Sequence, residues 1–395
     1  MGNSNSLLDQ AKKDKKYEFY TRLEDIELEL KNYKDVFKDK IILCNCDDPY
    51  ESNFFKYFAM NFNYLGLKKL ICTCYSTSPI IYTQLDIFGN ETPYGIKSEG
   101  KKPYKVEITE VIDENGDGAI DLTDVEHLLK NNKNVKSFLK GDPKYQAGDF
   151  RSEECIKLLK ECDIVVTNPP FGLFRDFMSI LVEYEKNFII IGNTNALTYK
   201  EVFDLFMKDG IRTGYTNFNV GMYFNVPDNY EYQKIIDGKK CVRVASSCWF
   251  TSLPVSKHND NLILFKKYTP EEYPHYDNYD AIEVSEYKMI PDDYYGVMGL
   301  PITFLNKYNP HQFELLGMGS GRYEYDPASH PTKRYINAIQ HNKDGSTANG
   351  SKVNTGCEII VTEPPKDKPY YTADNAEGIM IRKYDRIFIR RKSEE

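Results

Sequence analysis

The residues with the most chemistry in this chain are Asn168, Pro169, Pro170 and Phe171. They follow an apolar run, Asp163 to Val166, that reads as a strand. In open α/β sheets, ligands bind just outside the carboxyl ends of strands, and two prolines pin the backbone at that place. The prolines also remove two N–H donors, which leaves nearby carbonyls available to an outside donor. Asn168 adds a side-chain carbonyl as a further acceptor, and Phe171 adds a flat apolar face. Together they make a clamp for a planar amino group, with acceptors for its hydrogens and a ring for its π-face. Read without context, the same tetrapeptide is a strand-terminating turn.

The tetrapeptide resembles motif IV of the amino-methyltransferases, in which Asn or Asp, two prolines and an aromatic residue follow one another. Enzymes of that group modify the amino nitrogen of adenine, cytosine or a glutamine amide, with S-adenosylmethionine as methyl donor. The resemblance implies that the catalytic motif is Asn168, Pro169, Pro170 and Phe171, with Asn168 and Pro169 holding the amine and Phe171 stacking on a base flipped from the duplex. Glu18-Phe19-Tyr20-Thr21 resembles the F-Y-T segment that lies against the methionine part of the cofactor; a helix-capping threonine is the plainer reading. Gly148-Asp149-Phe150 resembles a G-D-F segment whose carboxylate accepts from the cofactor's adenine while the ring packs on its face. Its plainer reading is a helix N-cap at Asp149 or Ser152.

The cofactor loop departs from the usual D-P-x-x-G-x-G. Cys44 to Phe54 reads CNCDDPYESNF, so Asp48-Pro49 is kept while Ser52 and Asn53 stand where glycines would fall. Asn45, Asp47 and Asp48 are the candidate cofactor contacts here, with Asp47 or Asp48 gripping the ribose, because the next strand ends without an acid. The same departure, with GDFRSEEC, DIVVTNPPF, NFIIIGNTNAL, GVMGLPITFLNKYNPHQFELLG and YDRIFIRRK, is similar to the EcoRI-type adenine-specific methyltransferases. That resemblance spans nearly the whole chain. It implies site-specific methylation of adenine N6 in double-stranded DNA, in a restriction–modification or epigenetic setting, with a cognate endonuclease acting separately. The alternative substrates are RNA and a protein glutamine, since both chemistries use the same clamp. A non-enzymatic module on a degenerate fold is a third reading, supported only by the missing glycines.

These residues need a scaffold, and the first two thirds of the chain supply alternating strand-like and helix-like runs. IILCNC, KKLICTCY, DIVVTN and NFIIIGN read as strands. SNFFKYFAMNFNYLG, ECIKLLKEC, FRDFMSILVEYEK and TYKEVFDLFMKDG read as helices, the first closed by Gly66. CVRVASSCWFTSL and NLILFKKY read as an antiparallel pair at the sheet edge. The expected fold is α/β: a Rossmann-like class I methyltransferase sheet with helices on both faces, plus a smaller C-terminal α+β domain. The expected division is a catalytic, cofactor-binding domain over 1–268 and a target-recognition domain over 269–395, where Tyr, Pro and Asp become frequent.

Composition narrows the classes further. No apolar run approaches the ~20 residues of a membrane span, and the N-terminus lacks the apolar core of a signal peptide. Met1 to Ser6 fits the loose N-myristoylation pattern, with a polar, disordered start as the plainer reading. Nine cysteines without an export signal point to a reducing cytoplasm. Cys44-x-Cys46 and Cys72-x-Cys74 sit in strand-like runs at a spacing narrower than structural zinc sites use, which favours core thiols. The net charge of −8 argues mildly against nucleic acid, but local patches decide binding. The expected patch is Arg382, Lys383, Arg386, Arg390, Arg391 and Lys392, set to meet phosphates. Asp113 to Asp124 has the ligand spacing of an EF-hand calcium loop, with Asp at the twelfth position. A strand-like run precedes it, so a polar turn capping the next helix is the favoured reading there.

Overall fold

The computed structural model describes residues 20–49, 52–74, 103–114, 116–131, 136–226, 230–319 and 325–393. The myristoylation pattern, Glu18-Phe19 and Asn115 lie outside them. Contacts divide the chain into two compact units, Met1–Ala196 with Thr213–Pro254, and Leu197–Arg212 with Val255–Glu395.

The strands up to Pro254 are β1 (Tyr20–Thr21), β2 (Ile41–Cys44), β3 (Lys69–Thr73), β4 (Tyr104–Ile108), β5 (Lys136–Phe138) and β6 (Ile164–Thr167). They continue with β7 (Asn187–Asn193), β8 (Arg212–Thr213), β9 (Met222–Asn225), β10 (Lys234–Ile236), β11 (Lys239–Val244) and β12 (Ser247–Thr251). The main sheet runs β5-β4-β3-β2-β6-β7-β12-β8. Its middle, β3-β2-β6-β7, is parallel, with β4 and β12 antiparallel to their neighbours. Parallel strands are covered on both faces, and β6 and most of β7 are accordingly buried residue after residue. Gly192 on β7 is required by this packing: a Cβ there would stand 2.6 Å from the Phe174 ring and 2.9 Å from that of Phe250.

The expected helices form at Asn53–Met60, Glu153–Glu161, Phe174–Glu183 and Lys200–Met207. Gly66 ends the first helical run in the left-handed conformation at φ 62°, as a C-terminal glycine should. A second, four-stranded sheet runs β1-β9-β11-β10 and is antiparallel throughout. The expected edge pair does not form. CVRVASSCWFTSL breaks at Ala245-Ser246 into β11 and β12, which belong to different sheets. NLILFKKY is not a strand. Its backbone is held at Leu262 by both ends of the Gln312 amide, and Ile263 and Phe265 face outward.

The second unit holds two more sheets, β13-β14-β21-β15 and β17-β16-β19-β20-β18. Its strands are β13 (Ile282–Glu283), β14 (Met298–Pro301), β15 (Phe313–Met318), β16 (Ile339–His341), β17 (Thr347–Asn349), β18 (Cys357–Val361), β19 (Tyr370–Thr372), β20 (Ile379–Lys383) and β21 (Arg386–Arg391). The described residues after Val255 carry 3-10 turns but no α-helix, short of the α+β expectation; prolines interrupt any 3.6-residue period there. The unit's α-helix is Lys200–Met207. It belongs here and not with 1–196 because Phe203 meets Tyr325 edge-on at 5.2 Å and Tyr325 donates to Asp204 at 3.0 Å.

Glu358 on β18 is fully buried, with neither carboxylate oxygen hydrogen-bonded. Burial pushes its carboxyl up to about 8, against the pull of Arg382. A group raised in the folded state contributes stability below its unfolded value and loses it as pH rises to the folded one. Glu358→Gln is therefore expected to raise the melting temperature more at pH 8 than at pH 5, read by calorimetry. An equal gain at both would mean the carboxyl is not raised.

Candidate active site

The loop after β2 is where the missing glycines must be accounted for. Cys46 takes the left-handed conformation at φ 70°, so a non-glycine residue makes the turn. The Asp47 N–H donates to the Thr73 carbonyl at 3.1 Å, tying the loop to the end of β3. Ser52 Oγ donates to Asp47 Oδ1 at 2.9 Å and accepts from the N–H groups of Phe54 and Phe55. One hydroxyl thus caps the helix Asn53–Met60 and holds the loop acid. Asn53 Nδ2 donates to the Thr21 carbonyl at 2.7 Å, which fastens the Tyr20-Thr21 strand to the same helix start. Ser52 and Asn53 replace close backbone approach with a polar tether.

Asp47 is buried, and desolvation pushes its carboxyl up to about 7, against the pull of Thr167 and Ser52. The Thr167 hydroxyl lies within hydrogen-bonding reach of both Asp47 Oδ2 and the Asn45 carbonyl. Thr167 is the last residue of β6, one before Asn168. Its hydroxyl therefore ties the Asn45–Asp47 loop to the strand end that leads into Asn168–Phe171. Asp48 accepts from the Tyr104 hydroxyl at 3.1 Å and is half-buried.

At the clamp, Pro169 is buried, Pro170 is exposed and Asn168 is half-buried, with its Oδ1 shielded from solvent. The Pro170 carbonyl accepts from the Leu173 N–H at 2.9 Å, closing the 3-10 turn Phe171–Leu173. Phe171 meets Phe224 edge-on at 6.3 Å and 89°. Phe224 lies opposite Thr21 in the β1–β9 pair. The structure thereby brings together Thr21, Asn45, Asp47, Asn168 and Phe171, which are far apart in sequence.

Three buried oxygens around this network lack a hydrogen-bond partner: Thr21 Oγ1, Asn45 Oδ1 and Thr73 Oγ1. Leaving such a group unsatisfied costs about 1–3 kcal/mol. A polar ligand at the carboxyl ends of β2 and β3, where Asn45 and Thr73 stand, would satisfy two of them. The amino, carboxylate and hydroxyl groups of S-adenosylmethionine suit that donor set, so the residues present fit the cofactor.

Gly148 turns at φ 78° into Asp149. The Asp149 carboxylate is buried and gripped by Arg151, through Nε at 3.0 Å, Nη2 at 2.8 Å and the backbone N–H at 2.9 Å. A carboxylate offers about four lone pairs, so one remains on Oδ2. Phe150 is buried edge-on to Phe177 at 5.1 Å, which ties this segment to the helix after the clamp. The cap of Glu153–Glu161 is Ser152, which accepts from the Cys155 N–H.

Sequence reasoning passed over Thr167, Thr73, Arg151 and Phe224. Thr167 and Thr73 carried a signal, a hydroxyl ending an otherwise apolar strand; the other two carried none.

The EF-hand-like loop and the Cys-x-Cys segments make turn and core contacts. In the EF-hand-like loop, the Asp113 carboxylate accepts from Gly116 and Gly118 N–H groups, and that of Asp124 from Glu114 and Asp121. Both acids thus serve the turn and the helix Leu122–Asn131. Among the described residues, no group of three or more His, Cys, Asp or Glu side chains is placed to hold a metal. Cys44 and Cys72 are buried strand neighbours whose thiols burial pushes well up, as core thiols are.

The C-terminal basic cluster is largely spent inside its own unit. Arg386 makes two bonds to buried Glu283, Lys383 joins it at 3.3 Å, Arg390 pairs with Glu314, and Arg382 donates to the Thr355 carbonyl. Arg391 donates to the Asp292 carbonyl and covers the Tyr295 ring. Sequence cannot show these pairings because the acids lie tens of residues away.

A strand-end Asn-Pro-Pro-Phe segment tied through Thr167 to a polar loop after the neighbouring parallel strand is the arrangement expected of an amino-methyltransferase. The profile of the family described as adenine-specific methyltransferase EcoRI matches residues 7–392, and the chain belongs to that family. It is an adenine-specific DNA methyltransferase of the restriction–modification class. It is 43% identical over 348 residues to the type II methyltransferase M.EcoRI of Escherichia coli, covering 86% of this chain and 97% of that protein. It is 37% identical over 316 residues to M.MpnI of Mycoplasma pneumoniae, covering 78% and 84%. M.MgeORF184P of Mycoplasma genitalium matches to the same extent. No solved structure matches. No helix among the described residues is long and apolar enough to cross a membrane.

Proposed function

We propose that this chain methylates N6 of an adenine turned out of duplex DNA, with Asn168 and Pro169 holding the amine. The observation that carries this reading is the Thr167 hydroxyl, which joins the Asp47 loop to the clamp. Methyltransferases of this kind use S-adenosylmethionine in general, and it supplies an electrophilic methyl. The protein's task would be to orient the amine toward that methyl: as the N6–CH3 bond formed, the S–CH3 bond would break with its electrons going to the departing thioether, and one amino proton would pass to solvent. Asn168 Oδ1 and the Pro169 carbonyl accept the two amino hydrogens and turn the nitrogen lone pair toward the donor. Pro170 fixes the turn, and Phe171, backed by Phe224, stacks on the base.

On the cofactor side, Tyr20 and Thr21 face the methionine end, and Asn45, Asp47 and Asp48 take the polar middle. Asp149 uses its remaining lone pair on the adenine amino group, with Phe150 as the wall behind it. The order β3-β2-β6-β7 with an antiparallel β12 supports a Rossmann-like class I methyltransferase sheet. Target reading falls to residues 269–395, and a cognate endonuclease acts separately on the same sequence.

The test is base capture. A duplex with 2-aminopurine at the target position should brighten when the full chain binds it. Phe171→Ala should weaken capture by about 1–3 kcal/mol, roughly five- to 150-fold, as expected for loss of a stacking platform. Unchanged brightening in that variant would remove Phe171 from the base-binding role.

A further inference from the structure

Between β5 and the helix Glu153–Glu161 stands a cation that bonds in three directions. The loop leading to it is folded by Asp142, whose carboxylate accepts from the N–H groups of Lys144 and Tyr145 at 2.8 Å and of Glu153 at 2.9 Å. The Arg151 guanidinium carbon lies 4.7 Å from the centre of the Tyr145 ring and 5.2 Å from that of Phe150. Its Nε donates to Asp149 Oδ1 at 3.0 Å, its Nη2 to Asp149 Oδ2 at 2.8 Å, and its Nη1 to Asp176 Oδ2 at 3.1 Å. Asp176 is in the first turn of the helix Phe174–Glu183, just beyond the Phe171–Leu173 turn.

Neutralising Asp149 does not require this much. A lysine would supply the charge, but as a point charge without a fixed plane. The guanidinium fork meets both carboxylate oxygens at once and so sets the plane of the carboxylate. Asp176 and the two rings in turn set the plane of the fork. The backbone N–H of Arg151 adds a third bond to Asp149, on Oδ1 at 2.9 Å. Among the described residues, every donor to this carboxylate therefore belongs to Arg151. Three of about four acceptor sites are filled. The one left, on Oδ2, belongs to a residue only 6% exposed and held against rotation.

A buried acceptor fixed in one orientation takes a donor and rejects another acceptor. We propose that Arg151 is a positioning residue that makes the cofactor site select a 6-aminopurine over a 6-oxopurine. The amino group gives Asp149 Oδ2 a donor for its open lone pair. A 6-oxo group sets a carbonyl against the carboxylate with no proton between them. The 6-oxopurine does carry an N1–H, which a carboxylate free to turn would accept, and Arg151 prevents that turn. This rests on the reading that Asp149 receives the cofactor's adenine.

Calorimetry of the full chain with S-adenosylhomocysteine and with S-inosylhomocysteine tests it. The wild type should prefer the adenosyl ligand roughly a hundredfold or more, as a site built to bond an N–H rejects the analogue that lacks it. Arg151→Lys keeps the charge and loses the fork, so its preference should fall about tenfold. Equal weakening of both ligands, with the wild-type ratio kept, would mean that Arg151 only supports the segment, and overturns the proposal. Should Arg151→Lys fail to fold, Asp176→Ala decides. Its carboxylate is 55% exposed, so that variant should keep the wild-type melting temperature while the preference drops about threefold; an unchanged preference there overturns the proposal too. Asp149→Asn marks the other failure. An amide turns either its oxygen or its NH2 to the ligand, so this variant should take both ligands alike. A wild type without preference, or an Asp149→Asn protein that keeps it, overturns the Asp149 reading and the proposal with it.

Discussion

Asn168→Ala protein is expected to bind S-adenosylmethionine within about threefold of wild type and to lose turnover by a hundred- to a thousandfold or more. The expectation follows from where Asn168 sits. Its neighbour Thr167 is what fastens the cofactor loop, so removing the Asn168 amide leaves the Asp47–Ser52–Asn53 network standing. On the proposed reading, what is lost is one of two acceptors that aim the amine. Misplacing a reacting atom by about 1 Å can cost a hundredfold, and removing one preorganised polar group at a reacting centre costs about 10²–10³. Asn168→Asp separates orientation from packing, because its oxygen still accepts from the amine; it should retain more activity than the alanine. Single-turnover rates with saturating cofactor and DNA give the comparison. An alanine variant within tenfold of wild type would mean that the amine is held elsewhere.

The second large effect is the pH dependence of cofactor affinity. Asp47 sits at about 7 because desolvation opposes its charge. In the free enzyme its raised carboxyl contributes stability that is present below the unfolded value near 3.8 and lost as pH rises to about 7. A cationic ligand beside it favours the carboxylate, so binding releases a proton below pH 7. Affinity should therefore rise up to about tenfold per unit as pH climbs toward 7, then level off. Asp47→Asn should bind more weakly above pH 7 and show a flat profile between 5.5 and 8.5. Calorimetry of S-adenosylmethionine in buffers of different ionisation enthalpy reads affinity and proton release together. A pH-independent wild type, or no proton release at pH 6, would put Asp47 away from the cofactor's charge.

Much of this architecture was legible from residue order. The apolar runs at 41–44, 69–73, 164–167 and 187–193 became the parallel core of the sheet. Gly66 stopped its helix for the reason its lack of a Cβ suggests. Asn168 to Phe171 fell at a strand end because an apolar strand followed by two prolines leaves few other options. What stayed hidden depends on long-range partners. Ser52 and Asn53 look like a damaged glycine loop until Asp47 and Thr21 stand beside them. Arg386 looks like a phosphate ligand until Glu283, about a hundred residues earlier, is found against it. Ile263 and Phe265 alternate as a strand would, yet Gln312 holds the adjoining backbone and no partner strand arrives. Local pattern reports the element; it does not report what the element meets.

The most direct measurement is methylation mapping in a host free of DNA methylation, comparing cells that express the wild-type chain with cells that express Asn168→Ala. The expected result is N6-methyladenine at one recurring sequence in the wild type, absent in the variant at equal protein level. An unmodified genome from soluble, cofactor-binding wild-type protein, or the same methylation from the variant, would contradict the assignment of the clamp.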